Sequence, residues 1–281
     1  MPELPEVETV VRLIRPSLEG RKVTSSRVDW DRTLGGVSRR EFQRRLKGSR
    51  IDRIWRRAKF IVFDLSRDGR AAGGLVGHLR MTGRMHVEPK GTRPSPYCRV
   101  RLDLDDGQVF HFVDVRKFGR LVFHAEPDVL LEGLGPEPLE EEFTAEWLLA
   151  GLRSRKRMLK PLLLDQNFVA GLGNIYVDEC LHSARLHPLR RSDTVTPAAA
   201  RRLWAAIRET LQEAIEREGS SFDTFYRTPE GQPGAYQHQF RVYGRTGKPC
   251  YDCGAAIARI VVAQRGTHLC RKCQRAPRIR A

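Results

Sequence analysis

The sequence predicts an α+β protein of two domains, and three observations predict it. Residues 22–124 read as strands and turns, with apolar and polar side chains alternating in the clearest stretch. Beyond residue 143 the apolar residues recur at three and four, the period of a helix. Between the two patterns, Gly133-Leu134-Gly135-Pro136-Glu137-Pro138-Leu139-Glu140-Glu141-Glu142 combines turn residues with an acidic run and breaks both periods. The expected boundaries are a first domain over 1–132, a linker over 133–143, a helical domain over 144–240 and a C-terminal unit over 241–281.

Each element has its own signal. Pro5 suits a first helical turn, and Val7, Val10, Val11, Ile14 and Leu18 build one apolar stripe with Gly20 beyond its end. Glu3, Glu6 and Glu8 sit where the helix dipole favours negative charge, so ordinary capping accounts for these acids taken alone. Residues 38–47 can add a short helix, and 51–65 and 75–79 read as strands. The clearest hairpin spans 99–113: Val100, Leu102 and Leu104 alternate with Arg99, Arg101 and Asp103, Asp106-Gly107 supplies the turn, and Val109-Phe110-His111-Phe112-Val113 returns. An antiparallel sandwich or barrel beside the first helix follows. In the second domain helices are expected over 146–152, 156–164 and 174–184. Thr196-Pro197 then opens a longer one, whose face is Leu203, Trp204, Ile207, Leu211 and Ile215 and whose end is Gly219.

With 281 residues and 40% hydrophobic content, the chain can bury real cores, which excludes a disordered protein. A formal charge of +16 calls for a polyanionic partner, with nucleic acid the leading candidate. No apolar run approaches a membrane span and the N-terminus is unlike a secretory signal, so a cytoplasmic protein is expected. Of the six cysteines, Cys98 and Cys180 are isolated, while Cys250-Tyr251-Asp252-Cys253 and Cys270-Arg271-Lys272-Cys273 are separated by sixteen residues. That is the spacing of a four-thiolate zinc ribbon, and four thiolates make the ion structural. From residue 241 onward ten Lys or Arg face one acid, so the ribbon is strongly basic.

Three further stretches carry chemistry. Met1 precedes the small residue Pro2, so its removal would leave a secondary amine, a nucleophile that is partly neutral near pH 7. Gly171-Leu172-Gly173-Asn174 can aim amides at a phosphate, or simply turn the chain and cap a helix with Asn174. Arg80-Met81-Thr82-Gly83 and Arg116-Lys117-Phe118-Gly119 each put a bulky apolar residue beside a cation on a loop. Such pairs can wedge a DNA duplex open, and each alone is equally satisfied by a buried Met or Phe beside a solvated Arg.

Taken together these stretches resemble the formamidopyrimidine-DNA glycosylase family over essentially the whole chain. The resemblance is carried by Pro2-Glu3-Leu4-Pro5-Glu6-Val7-Glu8-Thr9, Arg57-Ala58-Lys59-Phe60, His78-Leu79-Arg80-Met81-Thr82-Gly83, Asp114-Val115-Arg116-Lys117-Phe118-Gly119, Leu134-Gly135-Pro136-Glu137-Pro138-Leu139, Gly173-Asn174-Ile175-Tyr176, and Val242-Tyr243-Gly244-Arg245 before the ribbon. It implies an N-terminal β-sandwich with its helix, and a helical domain with a helix-two-turns-helix motif and the zinc ribbon. It also implies a monomeric base-excision-repair enzyme. Such an enzyme removes 8-oxoguanine and formamidopyrimidines from double-stranded DNA, acts on abasic sites, and cuts the strand by β,δ-elimination.

The same resemblance implies roles residue by residue. Pro2 is the nucleophile at C1′, and Glu3 assists ring opening and later proton transfers. Glu6 supports the site, while Lys59 and Lys160 match basic residues near the lesion and its phosphates. Asn174 and Arg265 match the principal phosphate ligands, Arg265 also counting with the catalytic set, and His78 and Tyr243 match further candidates for phosphate contact. Met81, Arg116 and Phe118 match the trio that fills the gap left by an extruded nucleotide, Arg116 reading the orphaned cytosine. Ser220 and Thr224 belong to a loop over 220–239 that closes on an oxidised purine, although Gly219-Ser220-Ser221-Phe222-Asp223-Thr224 departs from the family's usual Gly-Gly-Ser-Thr opening. Two competing readings are an endonuclease VIII-like enzyme for oxidised pyrimidines, which Leu4, Phe118 and the long loop oppose, and a non-catalytic zinc-ribbon binder of damaged DNA.

Overall fold

The computed structural model describes residues 1–221 and 226–277. It divides the chain into two units, Met1–Glu132 with Arg217–Ala235, and Gly133–Glu216 with Tyr236–Ala281.

In the first unit helix α1 (Leu4–Leu18) precedes β1 (Val23–Val28), α2 (Arg39–Leu46), β2 (Arg50–Arg57), β3 (Phe60–Arg67), β4 (Arg70–His78), β5 (Gly83–Pro89), β6 (Cys98–Leu104), β7 (Gln108–Asp114) and β8 (Arg120–His124). Two four-stranded antiparallel sheets form, ordered β1-β6-β7-β5 and β2-β3-β4-β8. Among the described residues no ladder joins them, so of sandwich and barrel the sandwich holds. The expected hairpin is β6–β7, with Val100 opposite Phe112 and Leu102 opposite Phe110. Between the sheets Phe63 meets Phe110 edge to face at 5.8 Å between ring centroids.

The stripe of α1 (Val7, Val10, Val11, Ile14, Leu18) is buried in the same core, and the helix packs on β2, β3 and β5. Polar ties fix its height. Glu19 accepts the N–H of Ile54 at 2.7 Å, and Arg15 Nε donates to the Ile54 carbonyl at 3.0 Å. Whatever the first residues do, they do it from a helix that cannot slide.

The second unit holds α3 (Ala145–Arg155), α4 (Leu159–Leu163), α5 (Asn174–Ser183), α6 (Pro197–Glu216) and the ribbon hairpin β9 (Ala258–Val262) and β10 (Arg265–Leu269). Thr144 caps α3 through the N–H of Trp147, and Thr196 caps α6 through that of Ala199. The acidic stretch before α3 is tied down. Gly135 donates to Gln166, the Pro136 carbonyl accepts from Ala170, and Arg208 reaches the carbonyls of Pro138 and Glu140. Gln166 organises the turn ahead of α5, donating to the Leu164 and Leu172 carbonyls and accepting the N–H of Gly171.

Candidate active site and nucleic-acid interface

Pro2, Glu3 and Glu6 are buried at the start of α1, whereas Met1 stands 42% exposed. Met1 precedes Pro2 in the chain as described, so the Pro2 nitrogen is a peptide nitrogen standing in for the amine that removal of Met1 would free. The acids do more than cap. Glu6 Oε2 accepts the N–H of Glu3 at 2.7 Å, while Oε1 accepts the N–H of Ser220 at 2.8 Å and its hydroxyl at 3.2 Å. One carboxylate therefore joins the N-terminus to a segment more than two hundred residues away. Gly219 runs left-handed at φ +76°, and a Cβ there would sit 2.8 Å from Glu6 Cγ and Oε1, so only glycine allows this approach. Tyr226 closes on the same contact, its single hydroxyl proton shared between the carbonyls of Glu218 (3.1 Å) and Glu6 (3.4 Å). Thr224 lies outside the described residues.

Lys59 is buried in the turn between β2 and β3, next to Ala58, which is left-handed at φ 54°. Across the ladder Phe60 faces His78, and their rings meet edge to face at 4.8 Å. Burial first, then the nearby Arg80 and Lys59 cations, lower the His78 pKa to about 3. Its Nδ1 accepts the N–H of Arg80 at 3.0 Å. The proton of this neutral ring is therefore on Nε2, and the ring presents a donor.

The two loops expected to carry a wedge are tied to one another. Asp114 accepts from the Thr82 hydroxyl through Oδ1 and from the N–H of Gly119 through Oδ2, and Thr82 Oγ1 accepts the N–H of Arg116 at 3.1 Å. Arg80 and Lys117 adopt left-handed conformations, at φ 54° and 62°, just beside the exposed residues. Met81 and Phe118 are 38% and 48% exposed, so they are not the buried hydrophobes that either loop alone would suggest. The Arg116 guanidinium lies 4.9 Å from the Phe118 ring centroid.

In the second unit a different set converges on the Gly266 carbonyl, which accepts from Asn174 Nδ2 at 3.1 Å and Lys160 Nζ at 3.2 Å. Tyr243 Oη stands 3.5 Å from the same Asn174 nitrogen. Gly173 takes the cap position of α5 and Asn174 is its first helical residue. Of the two readings open for Asn174, the plain cap falls. Arg265 is exposed, at the mouth of a two-residue turn in which Ala263 and Gln264 are both left-handed. Lys160, expected near phosphates, is fully buried and paired with Asp178 at 2.6 Å. Its charge is spent inside the unit, holding the carbonyl beside Arg265.

Family models match three stretches: the formamidopyrimidine-DNA glycosylase N-terminal domain over residues 1–121, that enzyme's H2TH domain over 134–226, and the zinc finger found in FPG and IleRS over 247–276. The formamidopyrimidine-DNA glycosylase of Chloroflexus aurantiacus is 44% identical over 277 residues, covering 98% of each chain. The chain belongs to the formamidopyrimidine-DNA glycosylase family. The crystal structure of the Thermus thermophilus member superposes with a TM-score of 0.86 at 42% identity, covering 97% of this chain and 98% of that one. A mutant of the Lactococcus lactis member, in complex with a Fapy-dG containing DNA, gives 0.89 at 36% identity, covering 98% of this chain and all of that one.

The zinc finger of this family member fits its ion. Sulfurs 2.3 Å from a tetrahedral zinc lie about 3.8 Å apart. Here Cys253 and Cys270 stand at 3.4 Å, Cys250 and Cys273 at 3.9 Å, and all four sulfurs fall within 4.8 Å of one another. Cys250, Cys253, Cys270 and Cys273 hold one structural zinc.

Three residues of α5 were not singled out from the sequence. Asp178 accepts from Lys160 and from the N–H of His268. Glu179 takes the successive N–H groups of Arg241, Val242 and Tyr243 at 2.8, 3.0 and 2.8 Å, which counter the upward push of burial on its pKa. His182 brings Nε2 to 3.6 Å from Cys250 Sγ. The one available signal was the Asp178-Glu179 pair set between the apolar Ile175-Tyr176-Val177 and Cys180-Leu181, a place where buried acids need partners.

Proposed function

We propose that Pro2, freed by removal of Met1, is the nucleophile of this chain, and that Glu3, Glu6 and Lys59 form the site around it. As a family member the chain is a base-excision-repair enzyme, a DNA glycosylase for oxidised purines with AP lyase activity, and its partner is damaged double-stranded DNA. The observation that carries the assignment is the Glu6 carboxylate, which fixes the backbone of Glu3 beside a buried Pro2 while Met1 remains exposed to an aminopeptidase.

In this reading the Pro2 nitrogen attacks C1′, the base leaves with its bonding electrons, and a C–N bond replaces the glycosidic bond. The C1′–O4′ bond then breaks, O4′ taking a proton as the nitrogen lone pair closes a C=N bond, and the resulting iminium acidifies the adjacent sugar carbon, so β- and then δ-elimination release the strand on both sides. Glu3 serves the proton transfers. Lys59 disfavours protonation of the amine. Flipping of the damaged nucleotide is supported by the exposed Met81, Arg116 and Phe118, which fill its place. Neutral His78 donates to a phosphate, as do Asn174 and Arg265 from the second unit, with Tyr243 beside Asn174. Lys160 acts by positioning Gly266. Ser220, held by Glu6, roots the loop that closes over the lesion. No helix among the described residues is long and apolar enough to cross a membrane, and the cytoplasm is the proposed location.

Borohydride trapping on a duplex with one 8-oxoguanine opposite cytosine tests this assignment. An adduct mapped by mass spectrometry to Pro2, and absent from protein retaining Met1, is expected. An adduct on a lysine, or undiminished trapping with Met1 in place, overturns it.

A further inference from the structure

The sandwich carries a cluster of metal-ligating side chains that the glycosylase reading does not use. His86 on β5 and His111 on β7 are register partners across the ladder, and their rings stack with centroids 5.2 Å apart and planes 10° from parallel. Glu88, two residues on from His86 and so on the same face of β5, lies over both. Its Oε1 is 3.6 Å from His86 Nε2 and its Oε2 is 3.9 Å from His111 Nε2. All three donor atoms lie within 4.8 Å of one another. We infer that His86, His111 and Glu88 form a second metal site, for a divalent ion of the zinc, cobalt or nickel class.

The geometry argues for a cation rather than a hydrogen bond. Both nitrogen-to-oxygen distances exceed hydrogen-bond range. His111 is buried, and its Nδ1 stands 3.7 Å from Cys98 Sγ. The Cys98 thiol donates to the Val100 carbonyl at 3.4 Å. With its one hydrogen directed at that carbonyl, the sulfur can accept from His111 Nδ1–H, and in that tautomer the Nε2 lone pair faces the carboxylate. His86 Nδ1 is buried without a partner among the described residues, so nothing on that side fixes its tautomer.

Glu88 faces both rings, and imidazole binds a metal in its neutral form. Arg84 and Arg101 also bear on the pair, Asp103 opposing them at His111. Glu88 is the acid aimed between the imidazoles. Metal-to-nitrogen bonds of about 2.0–2.1 Å in a tetrahedron need donors about 3.3 Å apart, a closure of tenths of an ångström at the two measured gaps. Glu88 is 35% exposed, so its carboxylate has room to make it. Two imidazoles and one carboxylate select this class over magnesium or calcium, and three protein ligands leave a fourth position to solvent.

The test uses full-length protein carrying its ribbon zinc, freed of loose metal and titrated with Co2+ and, separately, Zn2+. One additional equivalent per chain is expected. Its cobalt spectrum should lack the thiolate charge-transfer bands that exchange into the four-cysteine site would produce. His86→Ala and Glu88→Gln should each weaken this second equivalent at least tenfold while keeping the first. If His86→Ala loses both metals through misfolding, Glu88→Gln on its half-exposed side chain decides the matter. A single equivalent in the parent protein, or a second one undiminished by Glu88→Gln, overturns the assignment.

Discussion

The ammonium of Lys160 and the carboxylate of Asp178 meet at 2.6 Å with neither side chain exposed to solvent. Such a pair contributes little net stability when intact, because both charges were taken out of water, yet removing one partner strands the other at a cost of about 3–5 kcal/mol. Lys160→Met keeps the volume and removes the charge. It should destabilise the protein by that order, and it should loosen the Gly266 carbonyl beside Arg265. The check is chemical denaturation together with affinity for an undamaged duplex. The double variant Lys160→Met, Asp178→Leu should recover part of the stability but not the DNA affinity, because Asp178 also holds the N–H of His268.

Gly219→Ala tests the join between the N-terminus and the Gly219-Ser220 segment. The left-handed φ costs about 1–3 kcal/mol for a side chain, and the Cβ would push on Glu6 at 2.8 Å. Gly231 is also left-handed, at φ +86°, but has nothing within 4 Å of its Cβ position. Alanine at 231 should therefore cost only the backbone strain. Alanine at 219 should in addition slow 8-oxoguanine excision severalfold more than it slows cleavage at a preformed abasic site. Equal effects of both variants on excision would remove the Glu6 contact from the mechanism.

The pKa of His78, lowered to about 3, makes a statement about stability and pH. Because the folded value lies below the ordinary 6.5, a proton prefers the unfolded chain. The contribution is complete above pH 6.5 and is lost as pH falls from 6.5 toward 3, at up to about 1.4 kcal/mol per pH unit. His78→Asn can still accept the Arg80 N–H and does not titrate. Melting temperatures between pH 7 and 4 should fall less steeply for this variant than for the parent, by the equivalent of one proton.

Much of this was legible in the residues because local periods and fixed spacings carried it. The stripe of α1, the β6–β7 hairpin and the two cysteine pairs needed no tertiary information. Asn174 and Lys160 were harder, since their partners lie 92 and 106 residues away at one glycine carbonyl. Local rules made the first a cap, and only the resemblance set the second near the lesion and its phosphates. Asp178, Glu179 and His182 were missed for the same reason: each acts on backbone or sulfur contributed by the distant ribbon, and no spacing within α5 announces it.

Thr82→Val removes the hydroxyl that couples the two exposed loops while keeping the side-chain shape. The Arg116 N–H then loses its acceptor and Asp114 loses a donor, a change worth about 1–3 kcal/mol locally. Binding to a duplex containing an abasic analogue should weaken by tenfold or more. Binding to undamaged duplex, which rests on phosphate contacts, should hardly move. A uniform loss on both duplexes would mean that the loops are not a unit.

His182 offers the sharpest test of how the ribbon is held. Its ring is buried on α5, 3.6 Å from Cys250 Sγ and 4.0 Å from Asp252. Burial lowers its pKa, partly offset by Asp252. A neutral imidazole that donates Nε2–H to a zinc-bound thiolate relieves negative charge on the sulfur and fixes the ligand, and contacts of this kind carry about 10–100-fold in metal affinity. His182→Phe keeps the packing and removes the donor. Zinc should leave this variant to a competing chelator about 10–100 times more readily, and DNA affinity should fall in step with zinc loss because Arg265 rides on the same ribbon. His182→Gln, which can still donate, should restore part of both. Unchanged zinc retention in His182→Phe would reduce the contact to simple packing.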